Sequence, residues 1–291
     1  METCLIVGLG RSGTTLLSRL IALTTTPCRF ISEPFPGLSD ALSPDKVDPS
    51  FVDPNNPNEL HKLDKVITAL GGDNPPLSEN QLFRIERNEV SAKALLIKEV
   101  HALLTLPLLE SIDNYKAVVI TRDITRVADS YFFGHEKNIR KYLIEESRFL
   151  KGYINGSQEH HLDLLDEALK KVNDEVIRYI KRPSLFSSEI LRWSAVALVI
   201  NEYLKAWSDN SEKIHHVTFE EICANPHQTC HRLYNALNLE LDALTDARIS
   251  EMTSGKSSGY YSTEKNSQEI LKQSYRALKD NDVRTISHWG A

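Results

Sequence analysis

The sequence predicts an α/β fold with a central parallel sheet. Short apolar runs recur along the 291 residues at Cys4 to Val7, Ala94 to Ile97, Ala117 to Ile120 and Ile214 to Val217. Each reads as a strand covered on both faces, the first three apolar at every position and Ile214-His215-His216-Val217 at its ends. Amphipathic stretches that read as helices follow two of them, Thr15 to Ala22 and Ile124 to Phe132. Strand, helix and strand in that rhythm make a doubly wound sheet.

Taken in order, the first strand begins almost at Met1, with no export signal ahead of it. Two stretches, near 36–90 and 134–185, then interrupt the alternation. The first is rich in Pro, Asn and Asp (Asp53-Pro54-Asn55-Asn56-Pro57-Asn58) and reads as long loops with short helices. The second is charged and mostly helical, with Leu162, Leu165, Leu169, Val172 and Val176 at helical spacing. Both leave strand ends on the side where open parallel sheets bind ligands. They are read as insertions in a single domain spanning 1–291, either a cap over a ligand or surface decoration. Glu189 to Trp207 is apolar nearly all round and reads as a buried helix.

Composition narrows the function. Hydrophobic residues at 41% and charged ones at 25% suit a globular chain with a full core. A net charge of -6 argues against a general nucleic-acid binder, so a polyanion would have to meet a local cluster of Arg and Lys. No run of about 18 apolar residues exists to span a membrane. Cys4, Cys28, Cys223 and Cys230 are scattered, which points to buried, reduced thiols and a cytoplasmic location. Asn155-Gly156-Ser157 reads as a turn, and His215 and His216 as structural. No HExxH, paired-Cys or carboxylate-triad spacing stands out, so no metal is expected.

The strongest local signal is Leu5-Ile6-Val7-Gly8-Leu9-Gly10-Arg11-Ser12-Gly13-Thr14-Thr15-Leu16-Leu17. A buried strand runs into glycines, then hydroxyls, then a helix. Glycines let backbone approach a phosphate closely, and a helix N-terminus offers free N–H groups and partial positive charge. Ser12, Thr14 and Thr15 add hydroxyls, and Arg11 a forked cation. Three functional readings fit: a dinucleotide fingerprint, with Glu33 about 20 residues on as a ribose-binding acid; a Walker loop, with Thr14 in place of the lysine an ATP kinase needs; or a phosphate cradle without that lysine. A plain strand-to-helix turn fits as well.

A second cation favours the third reading. Val118-Val119-Ile120-Thr121-Arg122-Asp123 is another buried strand ending in Arg. Arg122 and Ser130, eight residues apart and two turns along the next helix, are placed to bracket a further phosphate. A nucleotide with a separate 3′-phosphate needs such a pair; a dinucleotide dehydrogenase does not.

These motifs together resemble the PAPS-dependent sulfotransferases. Gly-x-Gly-Arg-Ser-Gly-Thr-Thr-Leu-Leu looks like their 5′-phosphosulfate loop, and Thr-Arg-Asp followed by Ser130-Tyr131 like their 3′-phosphate element. Ile97-Lys98-Glu99 resembles a Lys-Asp-Pro strand end, and Ser32-Glu33-Pro34-Phe35 the Glu-containing segment of Golgi-type and bacterial branches. Val217-Thr218-Phe219-Glu220-Glu221-Ile222 with Asn225-Pro226 resembles the late Tyr-Glu-x-Leu strand. Arg11 in place of Lys sets the chain nearer the Golgi-type and bacterial branches than the cytosolic hormone branch. The Lys-x-His of the latter is absent, since Val100 falls where that His would be and His101 comes one residue late.

The resemblance implies a three-layer P-loop-type fold with a central parallel sheet and a helical and loop cap. It implies an enzyme that moves a sulfuryl group from PAPS to a hydroxyl of a small molecule, carbohydrate or peptide and releases PAP. Arg11 and Lys98 would flank the leaving 5′-phosphate, held by Ser12, Gly13, Thr14 and Thr15. Arg122, Ser130 and Lys256, the last in a glycine- and hydroxyl-rich segment, would take the 3′-phosphate. Glu33 is the candidate base, with His101 as runner-up. Phe35, Phe132, Phe133, Tyr260 and Tyr261 are candidates for an acceptor pocket or for core. A P-loop kinase and a non-catalytic PAP-binding module remain the alternatives.

Overall fold

The computed structural model describes residues 1–34, 53, 55–72, 84–87, 89–111, 115–134, 143–157, 162–185, 188–255 and 267–289. Six strands form one sheet: β1 (Glu2–Val7), β2 (Cys28–Ser32), β3 (Arg84–Arg87), β4 (Ala94–Glu99), β5 (Lys116–Thr121) and β6 (Ile214–Thr218), in the order β3-β2-β4-β1-β5-β6. All neighbours are parallel except β3, which runs antiparallel to β2 at one edge. The four apolar runs are thus strands, three of them central. The antiparallel edge strand is a correction to the loops expected before residue 90. Arg84-Ile85-Glu86-Arg87 is too short and too charged to announce a strand without the neighbour it pairs with.

Alternation along the central strands builds two cores. Leu5, Val7, Leu95, Ile97, Ala117 and Val119 face one side; Cys4, Ile6, Leu96, Val118 and Ile120 face the other. The second face is covered by α1 (Thr14–Ile21), α8 (Phe219–Ala224), α9 (Pro226–Ala236) and α10 (Ala243–Ser254). The first is covered by α2 (Pro57–Gly71), α3 (Ile124–Gly134), α5 (Asp163–Lys170), α6 (Asp174–Lys181), α7 (Glu189–Asp209) and α12 (Asp280–Trp289). Helices on both faces of a parallel sheet give the three-layer architecture. α11 (Ser267–Lys272) packs against α8.

The helices have readable causes. α7 is buried along almost its whole circumference, as its sequence requires, and Tyr203 gives its hydroxyl proton to the Leu104 carbonyl at 2.8 Å. α2 begins with Asn56 as cap and Pro57 in its first turn, and ends on Arg29. That buried guanidinium donates to the carbonyls of Leu70 and Gly72 (3.0 and 2.5 Å), a cation at the negative end of the helix. This long helix was not expected in a segment so rich in Pro and Asn. The helical run of the second insertion is divided: α4 (Ile144–Ile154) ends in the turn at Asn155-Gly156, and Asn173 caps α6 through the N–H groups of Glu175 and Val176. Leu162 and Val172 therefore lie outside the helices their spacing suggested, because an Asn side chain competes for the backbone donors of a continuing helix. All four cysteines are buried and none is in a disulfide.

Candidate anion-binding site

Three parallel strands, β4, β1 and β5, end side by side, and the sequence places a cation at or just beyond each end. The β1 exit is set by its glycines. A Cβ on Gly8 would lie 2.4 Å from the Ile120 carbonyl oxygen. Gly13, at φ 104°, is the N-cap of α1, and a Cβ there would lie 2.3 Å from the Phe219 ring. Between them Ser12 closes the turn: its N–H and its hydroxyl both donate to the Leu9 carbonyl, at 3.0 and 2.7 Å. α1 then opens with Thr14 buried and Thr15 exposed. Its first-turn N–H groups have no preceding turn of helix to bond, which leaves positive charge at this end.

Arg11 sits in the left-handed region at φ 73°. From there its Nε donates to the Ser130 hydroxyl on α3 at 3.2 Å. Arg122, at the end of β5, donates from a terminal guanidine nitrogen to the Arg11 carbonyl at 3.1 Å and lies 4.3 Å from the centroid of the Phe219 ring. Arg11, Arg122 and Ser130 are thus one cluster, though 119 residues separate Arg11 from Ser130. The Nε of Arg122 is buried and finds no hydrogen-bond partner among the described residues. Burial above all pushes this guanidinium below its ordinary value. Glu220 and Cys223 act against that shift, and Arg126 and Arg11 add to it. A half-buried cation with a buried donor unmet among the described residues, and like charges beside it, makes this a candidate anion site.

The β4 exit holds the second group. Register pairs Ser32 of β2 with Lys98, and the Glu33 N–H donates to the Lys98 carbonyl at 2.7 Å. Glu33, at φ 52°, then turns its carboxylate onto the Lys98 ammonium, a buried cation meeting a partly exposed acid. A non-glycine residue in left-handed backbone costs on the order of 1–2 kcal/mol, and such strain gathers at functional sites. Glu99 faces inward, fully buried, and accepts the N–H groups of Val100 and His101 at 2.9 and 3.0 Å. It holds the strand exit open as a turn. His101 follows it, half-buried. Lys256, with Phe35, Tyr260 and Tyr261, lies outside the described residues.

The sequence model of the sulfotransferase domain family matches residues 2–282. The chain belongs to the sulfotransferase family. Its reaction class is therefore PAPS-dependent sulfuryl transfer, with PAP as the product. No curated protein matches it significantly. Among solved structures it is similar to a sulfotransferase from Alicyclobacillus acidocaldarius, at 14% identity over 86% of this chain and 90% of that one, with a TM-score of 0.42. Mouse sulfotransferase SULT7A1 complexed with PAP is 12% identical over 99% and 82%, with a TM-score of 0.46. The sulfotransferase domain of the Synechococcus PCC 7002 olefin synthase is 14% identical over 100% and 95%, with a TM-score of 0.43. None of the described helices of this sulfotransferase is long and apolar enough to cross a membrane.

Sequence reasoning placed Phe219 and Glu220 in the late-strand motif but gave them no role at the site. Phe219 supports both Gly13 and Arg122, and Glu220 accepts the Asp123 N–H at 3.4 Å. The available signal was an aromatic at the end of a late strand, which only β5–β6 pairing sets beside the loop. Of the two readings open for Phe132, pocket or core, the structure gives core: it is buried and meets Trp193 edge to face at 5.8 Å. Phe133 is exposed, with the Arg276 guanidinium 4.0 Å over its ring. Arg87 pairs with Glu89 at 2.7 Å.

Proposed function

We propose that this sulfotransferase transfers sulfuryl to a hydroxyl acceptor and that its two clusters divide the work. The observation that carries the proposal is the buried Nε of Arg122, without a partner among the described residues, beside Arg11 and Ser130. Together with the close-approach glycines Gly8 and Gly13, it fits a bisphosphorylated adenosine. Arg122 and Ser130 would take the 3′-phosphate, with Lys256 a further candidate. Gly13, Thr14 and Thr15 would take the 5′-phosphate through N–H and hydroxyl groups, in a turn that Ser12 fixes.

PAPS, when bound, supplies an activated sulfuryl group and a phosphate leaving group. The chain has to orient the acceptor, stabilise charge on that phosphate and remove one proton. Arg11 and Lys98 are the cations for the charge. Glu33 is the base for the proton: it is half open to solvent, its backbone is locked against β4, and it touches Lys98. His101 is the other candidate, one short turn beyond Glu99. The chain is read as one catalytic unit over 1–291, with the insertions near 36–90 and 134–185 on the acceptor side. Four buried thiols outside any disulfide suit a reducing compartment, here the cytoplasm.

Calorimetry with PAP, ATP and NAD side by side tests the nucleotide. PAP alone should bind, and Glu33→Gln should keep that affinity while abolishing transfer. Tight ATP binding without PAP binding overturns the reading, and full activity in Glu33→Gln removes the base assignment.

A further inference from the structure

In the helical layer that α9 and α10 share with α1, three ligand-type side chains converge that the anion site does not use. His227 and His231 stand one turn apart on α9, four residues being the spacing that puts two side chains on one helix face. Asp246 on α10 meets both rings with a single carboxylate oxygen: Nδ1 of His227 lies 3.3 Å and Nε2 of His231 2.7 Å from Oδ1. One donor atom from each of the three falls within 4.8 Å of the others. We propose that His227, His231 and Asp246 form a binding site for a divalent transition ion of the zinc type.

Ligands at zinc distances in a tetrahedron stand about 3.4 Å apart. The His227 to Asp246 separation already matches, and the His231 to Asp246 hydrogen bond needs to open by roughly 0.7 Å on that geometry. Two imidazoles and one carboxylate favour zinc, nickel or copper over the hard ions magnesium and calcium. The fourth direction is open, because all three side chains are nearly half exposed. Cys230, beside them in sequence, is turned into the core and adds no sulfur.

The outer shell is also in place. Nε2 of His227 lies 2.7 Å from the Ser250 hydroxyl, one turn beyond Asp246 on the same helix. Without metal, neutral His227 carries its proton on Nδ1, donating to Asp246, and accepts from Ser250. With metal on Nδ1 the proton moves to Nε2 and donates to Ser250, the hydrogen bond that orients a ligating imidazole. The ion would tie α9 to α10, two helices that contribute no residue to the anion cluster. The spacing rules applied to the sequence passed the site over because Asp246 is 15 residues from His231 and on another helix.

The test is calorimetric titration of zinc chloride into the chelator-treated full chain, beside His231→Ala and Asp246→Asn, with cobalt(II) visible absorption as a second readout. One equivalent of zinc should bind, with a rise in melting temperature and a tetrahedral cobalt spectrum. Each variant should bind at least about tenfold more weakly and lose the thermal shift. His231→Asn, which keeps a donor towards Asp246, covers the case in which the alanine variant misfolds. Absence of zinc binding, or equal binding in the native chain and the folded variants, overturns the proposal.

Discussion

Replacing Arg122 with methionine should leave stability nearly unchanged while weakening nucleotide binding strongly. In the ligand-free protein the guanidinium contributes one hydrogen bond to the Arg11 carbonyl and a stack on Phe219. A hydrogen bond from a charged group is worth about 1.5–3 kcal/mol and a partly desolvated cation–π contact about 1–2. Against these stands the cost of burying a cation whose Nε is unmet and whose neighbours Arg126 and Arg11 carry like charge, several kcal/mol per ion. The terms nearly cancel, leaving a net change within about 2 kcal/mol, or about 4 °C in Tm for a chain of this size. Binding is different: two lost charge-assisted hydrogen bonds to phosphate, about 3–6 kcal/mol, correspond to a roughly 10²- to 10⁴-fold weaker PAP. Differential scanning fluorimetry and calorimetry with PAP read the two quantities on one sample. A PAP affinity within threefold of the native value refutes the anion assignment. Collapse of the ligand-free Tm would mean that the buried cation is structural instead.

Gly13→Ala should destabilise by about 2–5 kcal/mol, because φ 104° is strained for alanine and its Cβ meets the Phe219 ring; chemical denaturation checks this. Asp129→Ala should cost about 3–5 kcal/mol, since one carboxylate oxygen accepts the N–H groups of Arg276, Ala277 and Leu278 at 2.7, 2.7 and 3.2 Å. Limited proteolysis would then cut first near the C-terminal helix. Burial first, then Lys205, lowers the pKa of His216, which bonds Thr121 at 2.8 Å. The unfolded chain therefore takes up this proton first, and the contribution to stability, complete above about pH 6.5, is lost as pH falls below it. His216→Gln should flatten that part of a Tm-against-pH curve.

Part of the site was legible in one dimension because its chemistry is local. Gly8 to Thr15 announces a close-approach turn and a helix N-terminus through glycines and hydroxyls at fixed offsets, and the structure builds both. Arg122 and Lys98 were legible for a related reason: a cation directly after a fully apolar strand ends up at the carboxyl edge of a parallel sheet. The partners of these groups were not legible. Phe219 under Arg122, Ser130 against Arg11 and the three amides on Asp129 are contacts across more than 90 residues, fixed by strand order and helix docking rather than by spacing.

By itself the sequence determined the alternation of strands and helices, the both-face burial of the central strands and the glycine turn that runs into a helix N-terminus, since backbone propensity and hydrophobic period act over a few residues. The tertiary structure decided the β3-β2-β4-β1-β5-β6 order, the antiparallel edge, and the cation left buried with a donor unmet. It also decided which two histidines share an aspartate. Each depends on which distant segments exclude water from one another, and no local stretch of chain carries that information.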